Sequence, residues 1–201
     1  MNDSTKTTID NLVRHGFKSE YFENKDDALN YVIAQIGGEE LGIGGSMTIT
    51  ELDWYDALSK RGAVYCHTIA LEDKGAVMLR ANAAPCYMLS ANAISQNGDI
   101  VNIDGNGNRV TATSFGHKKI FYICGENKIA ENLEQAIFRA KNVAAPQNCR
   151  RLNRKTPCAI KADKCYNCNS PERICRVISI TTRPPTNMEI HVLFIAGNWG
   201  Y

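Results

Sequence analysis

The chain is poor in the features that most often declare a class. Its 201 residues include only two Trp and six Pro, and aromatic residues make up 8%. No apolar run approaches the roughly 20 residues a bilayer-spanning helix needs, so no such span is predicted. The opening MNDSTKTTID has neither a basic cluster nor an apolar stretch, so a secretory leader is not expected and the chain reads as cytoplasmic. In that reducing compartment, disulfides do not explain eight Cys. The four His (His15, His67, His117, His191) show no metal-ligand spacing among themselves; His67, in a buried strand, is the candidate among them for a functional role, though it reads first as a hydrogen-bonded core histidine. Repeats and low-complexity tracts are missing. With 44% hydrophobic residues and a net charge of +2, the chain reads as one soluble globular domain with enough length for a sizeable core.

What is present begins with cysteine. Cys158, Cys165, Cys168 and Cys175 follow a C-x6-C-x2-C-x6-C spacing inside PCAIKADKCYNCNSPERIC. Four thiolates in so short a stretch can close on one centre, either Zn2+ held tetrahedrally or a four-iron iron–sulfur cluster. The spacing matches neither the paired C-x2-C of zinc ribbons nor the C-x2-C-x2-C of bacterial ferredoxins, so the metal stays open. Charge supports a metal. From Lys141 onward ten Lys or Arg face three Asp or Glu, whereas residues 1–140 hold thirteen against eighteen. Those cations would offset the negative charge of a thiolate-bound centre. The plain alternative is a solvated basic loop with free thiols. Nucleic acid is disfavoured as a partner, because only Tyr166 is interleaved with the basic residues. Cys66, Cys86 and Cys124 lie in apolar stretches and read as core residues, and Cys149 reads as a free thiol beside the block, with a spare metal ligand as the alternative. The metal-binding segment is therefore set at 149–176 within a single domain spanning 1–201.

Periodicity predicts helices over TIDNLVRHGF and KDDALNYVIAQIG, ended by Gly16 and Gly37. A third helix is predicted after Thr48-x-x-Glu51, which has the form of a capping box, with Leu52, Tyr55 and Leu58 buried and Gly62 as the stop. A long helix is predicted over NKIAENLEQAIFRAKNVAAP, with Pro146 beyond its end. Strands are predicted at AVYCHTIAL, PCYMLSA, DIVNID, KKIFYICG, RVISITTR and EIHVLFIAG, the last two as a closing pair with an antiparallel edge. Alternating strands and helices predict an α/β fold, with an open, mostly parallel sheet and flanking helices.

Two constellations carry chemistry. Gly42-Ile-Gly-Gly-Ser46 falls between a strand end and a helix start. Glycines let backbone N–H groups approach a ligand, a helix N-terminus favours an anion, and the Ser46 and Thr48 hydroxyls add donors. No Lys follows as in a Walker loop, and the full G-x-G-x-x-G is missing, so Gly42, Gly44 and Gly45 are read as a general anion loop or a tight capped turn. The second constellation runs from Ser90 to Arg109. Its Asn-Gly and Asp-Gly pairs are turn formers, and SQNGDIV fits a hairpin. Yet Asn92, Asn102, Asp104, Asn108 and Arg109 bring amides, a carboxylate and a guanidinium to strand ends, the edge where open α/β sheets bind ligands. In this reading Asp104 is the catalytic general base, and Asn92, Asn108 and Arg109 hold the ligand.

GIGGSMTITEL, SANAISQNGDIVNIDGNGNRV, GENKI and NVAAPQNCRRLNRKTPC…KCYNCNSPERIC together resemble the LUD (lactate utilisation) domain proteins, specifically the LutC-like group. The resemblance covers roughly residues 10 to 201. It implies a fold similar to that of ribose-phosphate isomerases, glucosamine-phosphate deaminases and CoA transferases, with a ligand over Gly42, Gly44, Gly45 and Ser46 and with Asn92, Asp104 and Arg109 opposite. It also implies a part in oxidising lactate or a related organic acid, beside a redox protein partner. The four-cysteine block departs from the plain pattern of that group. The competing readings are an isomerase- or transferase-like enzyme on a phosphorylated or acyl-CoA substrate with a structural zinc, and a non-catalytic regulatory binding module.

Overall fold

A computed structural model describes residues 1–201. In chain order, α1 (Asp3–Arg14) leads to β1 (Lys18–Phe22), and α2 (Lys25–Ile36) to β2 (Leu41–Ile43). Two short helices, α3 (Met47–Leu52) and α4 (Tyr55–Ser59), precede β3 (Val64–Cys66), α5 (Lys74–Ala83) and β4 (Cys86–Leu89). A hairpin of β5 (Ala93–Ser95) and β6 (Ile100–Asp104) is followed by α6 (Asn108–Ala112), β7 (Lys119–Gly125) and β8 (Ile129–Ala130). Helix α7 (Leu133–Arg139) passes through a π-helical turn (Ala140–Ala144) into α8 (Ala145–Arg151). Then come α9 (Pro157–Lys161), β9 (Val177–Thr181) and β10 (Glu189–Ile195). No helix is long and apolar enough to cross a membrane.

The α/β expectation holds. Six strands form one parallel sheet in the order β1-β10-β7-β4-β2-β3, and a smaller sheet runs β8-β5-β6-β9. Period-two alternation divides the core between the two faces of the main sheet. On β7, Ile120, Tyr122 and Cys124 point to the face that carries α1, α5 and the small sheet. Phe121 and Ile123 point to the opposite face, where α2, α3 and α4 supply Val32, Leu52 and Leu58. The small sheet adds Ile94 and Ile100 to the first core and turns Ala93, Val101 and Ile103 toward Ala136 of α7 and Ala140 of the π-helical turn.

Several local expectations are corrected. The final two strands do not pair: β9 lies antiparallel to β6, and β10 enters the centre of the main sheet between β1 and β7. AVYCHTIAL forms only a three-residue, half-buried edge strand, and Cys66 is half-exposed, because β3 has one neighbour. Cys86 and Cys124 are buried, as read from the sequence. Ser46, not Thr48, caps α3, accepting from the Ile49 N–H at 3.4 Å, and Asp53 in the left-handed region separates α3 from α4. The long helix starts later, capped by Asn132, and continues past Pro146 to Arg151. The π-helical turn accommodates a proline that lacks an N–H. Strand β1 and helix α5 have no counterpart in the periodic pattern.

Candidate anion-binding cleft

The carboxyl ends of β2, β4 and β6 converge on one side of the molecule, with the first turns of α8 opposite. Between them lies a cleft of about 340 Å³ lined by Gly45, His67, Asn92, Asp104, Asn108 and Arg109, and from the far wall by Asn148, Arg151 and Arg154. A smaller recess of about 40 Å³ continues from it beneath Ser46, Thr48, Ser90 and Lys128. The structure thus brings together Gly45, Ser46, Thr48, Asn92, Asp104, Asn108 and Arg109. Gly44 stands just behind. A Cβ there would meet Arg109 Cγ at 2.8 Å and the Tyr87 hydroxyl at 3.1 Å, so its bare backbone lets Arg109 lie across the loop. Gly42 stands apart. It sits within β2 under α5, where a Cβ would fall 2.2 Å from the Ala81 carbonyl oxygen, so it serves helix–sheet packing and does not face the cleft.

Asp104 is saturated. Its Oδ2 accepts from the Arg109 N–H at 2.8 Å, its Oδ1 from the Gly105 N–H at 2.8 Å, and Arg109 Nη2 lies 3.2 Å from Oδ1. Burial alone would raise its pKa, but the Arg109 charge and these backbone donors outweigh it and hold the carboxyl below its ordinary value. A carboxylate with that proton affinity and those occupied lone pairs is a weak base. Its geometry is that of a brace for Arg109, whose Nη2 also donates to the Ile103 carbonyl at 2.8 Å. Asn92 is also partly committed: its Oδ1 accepts from the Ile103 N–H at 2.7 Å, tying the strand ends together.

His67 is not the core histidine of a buried strand. It lies in the turn after β3, its ring close to Gly45, where a Cβ would meet Cε1 and Nε2 at 3.3 Å. Burial, then the charges of Arg109 and Lys74, pull its pKa below the ordinary value, so the imidazole is neutral at pH 7. Its Nδ1 is buried without a partner. The ring nitrogen beside the loop is Nε2, and on a neutral imidazole it is a better proton acceptor than Asp104, whose oxygens are occupied. Lys128 was also missed in the sequence, inside GENKI. It is 1% exposed, donates to the Tyr201 carbonyl, and has its pKa lowered to about 8 by burial and by the nearby Arg139 charge. Arg151 and Asn148 lie three positions apart on α8, on the same face. That spacing is a signal in the sequence, although the basic run there reads first as a solvated stretch.

The cysteine segment packs against the rim of this cleft: the Ile174 backbone would lie 2.9 Å from a Cβ on Gly105, and Ile174 lines the cleft. Cys158 is buried on α9, whereas Cys165, Cys168 and Cys175 are half-exposed on the loop that follows. Cys149 is buried on α8, and burial pushes its thiol up to about 11, with Cys158 and Cys175 adding to the rise. No three His, Cys, Asp or Glu side chains in the chain gather closely enough to hold a metal ion. The ligand set Cys158, Cys165, Cys168 and Cys175 is therefore not assembled in this arrangement.

The LUD domain family model matches residues 5–195. No curated protein matches the chain. Among solved structures, the chain is similar to the crystal structure of a DUF162 family protein from Deinococcus radiodurans. The two share 7% sequence identity over 97% of each chain, with a TM-score of 0.54. At that identity the likeness speaks for the fold alone.

Proposed function

The chain belongs to the LUD domain family, and from that premise we propose that its cleft binds a small organic anion, a carboxylate or a phosphate ester. One observation carries this reading. Lys74, Arg109, Lys128, Arg151 and Arg154 line the cleft and its recess, where the only side-chain carboxylate is Asp104, already bonded to Arg109. Lys128 donates to the main-chain oxygen of Tyr201, and Lys74, Arg151 and Arg154 have no side-chain carboxylate within ion-pair distance. Gathering unmatched cations costs free energy that a bound anion would return. In this reading Arg109, braced by Asp104, clamps the anion, the Gly45–Ser46 backbone and the Thr48 hydroxyl border it, and His67 exchanges a proton with it.

The family's tie to lactate utilisation makes oxidation of a 2-hydroxy acid or related organic acid the favoured reaction, with a redox protein partner. Residues 149–176 would supply a metal, an iron–sulfur cluster in preference to zinc. The contact of Ile174 with Gly105 favours that second component, since a centre ordered by this segment would stand at the rim of the ligand cleft. The thiols do not converge as they stand, so ligation would require the segment to close around the metal. The runner-up is an isomerase- or transferase-like activity on a phosphorylated or acyl substrate, for which the same cations serve.

Titration calorimetry with lactate, pyruvate and inorganic phosphate tests the anion reading. We expect Arg109→Ala to weaken binding about 10- to 100-fold, the worth of about 1.5–3 kcal/mol for hydrogen bonds to a charged group. Equal affinity in the variant and the parent would refute it. Reduction of an electron-acceptor dye by lactate separates the oxidation reading from the isomerase reading, which needs no acceptor.

A further inference from the structure

The cationic cleft does not end at the glycine loop. Past Ser46 and Thr68, which line both, it opens into a recess of about 100 Å³ walled by Ile43, Ile49, Trp54, Tyr55, Cys66 and Ile69. Tyr55, Cys66 and Ile69 then border a second hollow of about 390 Å³ along the open side of β3, where eight of nine lining residues are hydrophobic. The one charged residue there, Glu72, forms an ion pair with Arg80. Strand β3 is the edge of the main sheet, so no further strand covers this groove. Its rim holds the most exposed of the large apolar side chains, Leu71, which is wholly exposed, and Ile69, which is half-exposed.

We infer that the anion recognised in the cleft carries an apolar arm, and that this arm lies along β3 in the groove from Ile49 and Trp54 to Ile69 and Leu71. The inference rests on the anion-binding reading and adds the chemical class: an amphipathic organic anion, with a charged head and an alkyl or aryl extension. A ligand as small as lactate or phosphate would fill the cationic end and leave Ile69, Leu71 and the recess beneath them in water. Ser46 and Thr68 stand between the two ends, Ser46 lining the polar recess, Thr68 the cationic cleft, and both the apolar recess.

Titration of the full chain with inorganic phosphate, then methyl, butyl and hexyl phosphate, tests this. Each methylene that leaves water for the groove should tighten binding about fourfold, so butyl phosphate should bind far better than methyl phosphate. Ile69→Asp, at a half-exposed position that the fold does not depend on, should flatten this series and leave phosphate affinity within twofold. Leu71→Asp should do the same more weakly. Phosphate binding with no gain along the parent series would overturn the apolar arm and leave the anion reading standing. A gain that Ile69→Asp does not reduce would overturn its placement along β3. Esters that bind with undiminished affinity to Arg109→Ala, or no binding of phosphate or any ester, would overturn the anion reading as well.

Discussion

Lys128 makes the proposed anion site testable at a single residue. Its ammonium is buried, donating to the main-chain oxygen of Tyr201, and burial and the nearby Arg139 charge draw its pKa down to about 8. An anion in the adjoining recess would stabilise the charged form and raise that pKa. Lactate stays ionised throughout the range used, so binding near pH 8 should be accompanied by net proton uptake approaching half a proton. Calorimetry in buffers of different ionisation enthalpy reads this directly. Uptake should vanish in Lys128→Met, and its absence in the parent would place the anion away from Lys128. Asp104 and His67 divide roles that the sequence assigns to one residue. A turn-forming Asp in a polar run looks like a free carboxylate until the folded chain brings two backbone donors and a guanidinium to it. His67 looks like a strand residue until β3 proves to be only three residues long. Each role depends on neighbours distant in sequence.

At the scale of elements, the glycine loop separates into two parts with opposite responses. Gly42→Ala places a Cβ 2.2 Å from a backbone carbonyl of α5, which cannot yield without moving the helix; we expect a loss of about 3 kcal/mol or more, seen as a lowered Tm. Gly44→Ala meets the flexible Arg109 side chain at 2.8 Å, so the fold should persist while anion affinity falls about tenfold as Arg109 is displaced. Thermal melts and calorimetry on the pair distinguish the roles; equal Tm losses would refute the division. The loop's position, the central strands, the first two helices and the hairpin at Asn97-Gly98 were legible because local turn chemistry and apolar periodicity specify them. Helix α5 was not, since GAVMLRANA carries a weak stripe, and the partners of β9 and β10 are matters of long-range pairing. The cysteine segment is the remaining element. Between α9 and β9 it has little regular structure, and metal binding there would supply folding free energy that burial does not. Protein purified without oxygen should contain iron with acid-labile sulfide, or one zinc per chain. Cys165→Ser combined with Cys168→Ser should empty it, and Cys124→Ser should not. Full metal occupancy in the double variant would remove these residues from the ligand set.

Across the whole molecule, two buried histidines tie stability to pH. His191 is buried in β10, its Nδ1 at 2.9 Å from the Tyr31 hydroxyl and its Nε2 at 2.7 Å from Glu189. His117 is buried with Nδ1 at 2.6 Å from the Ala84 carbonyl oxygen. Burial lowers both pKa values in the folded protein, only partly offset by these partners. The unfolded chain therefore binds more protons, so the stability from both groups is complete above their ordinary value near 6.5 and is lost as pH falls below it. Tm should drop between pH 7.5 and 5.5, and a flat profile would show that neither ring resists protonation. The place of β10 carries a further consequence, one of timing. Strand β1 has no neighbour other than β10, and the bond from the Ser19 hydroxyl to the Val192 carbonyl spans 173 residues. A ribosome emitting this chain delivers β1 many seconds before its only partner. Until β10 threads between β1 and β7, the edge of β7 stands open and two halves of the core remain unsealed. Folding should therefore be slow, and the emerging chain should be an exposed client for chaperones until β10 has left the ribosome.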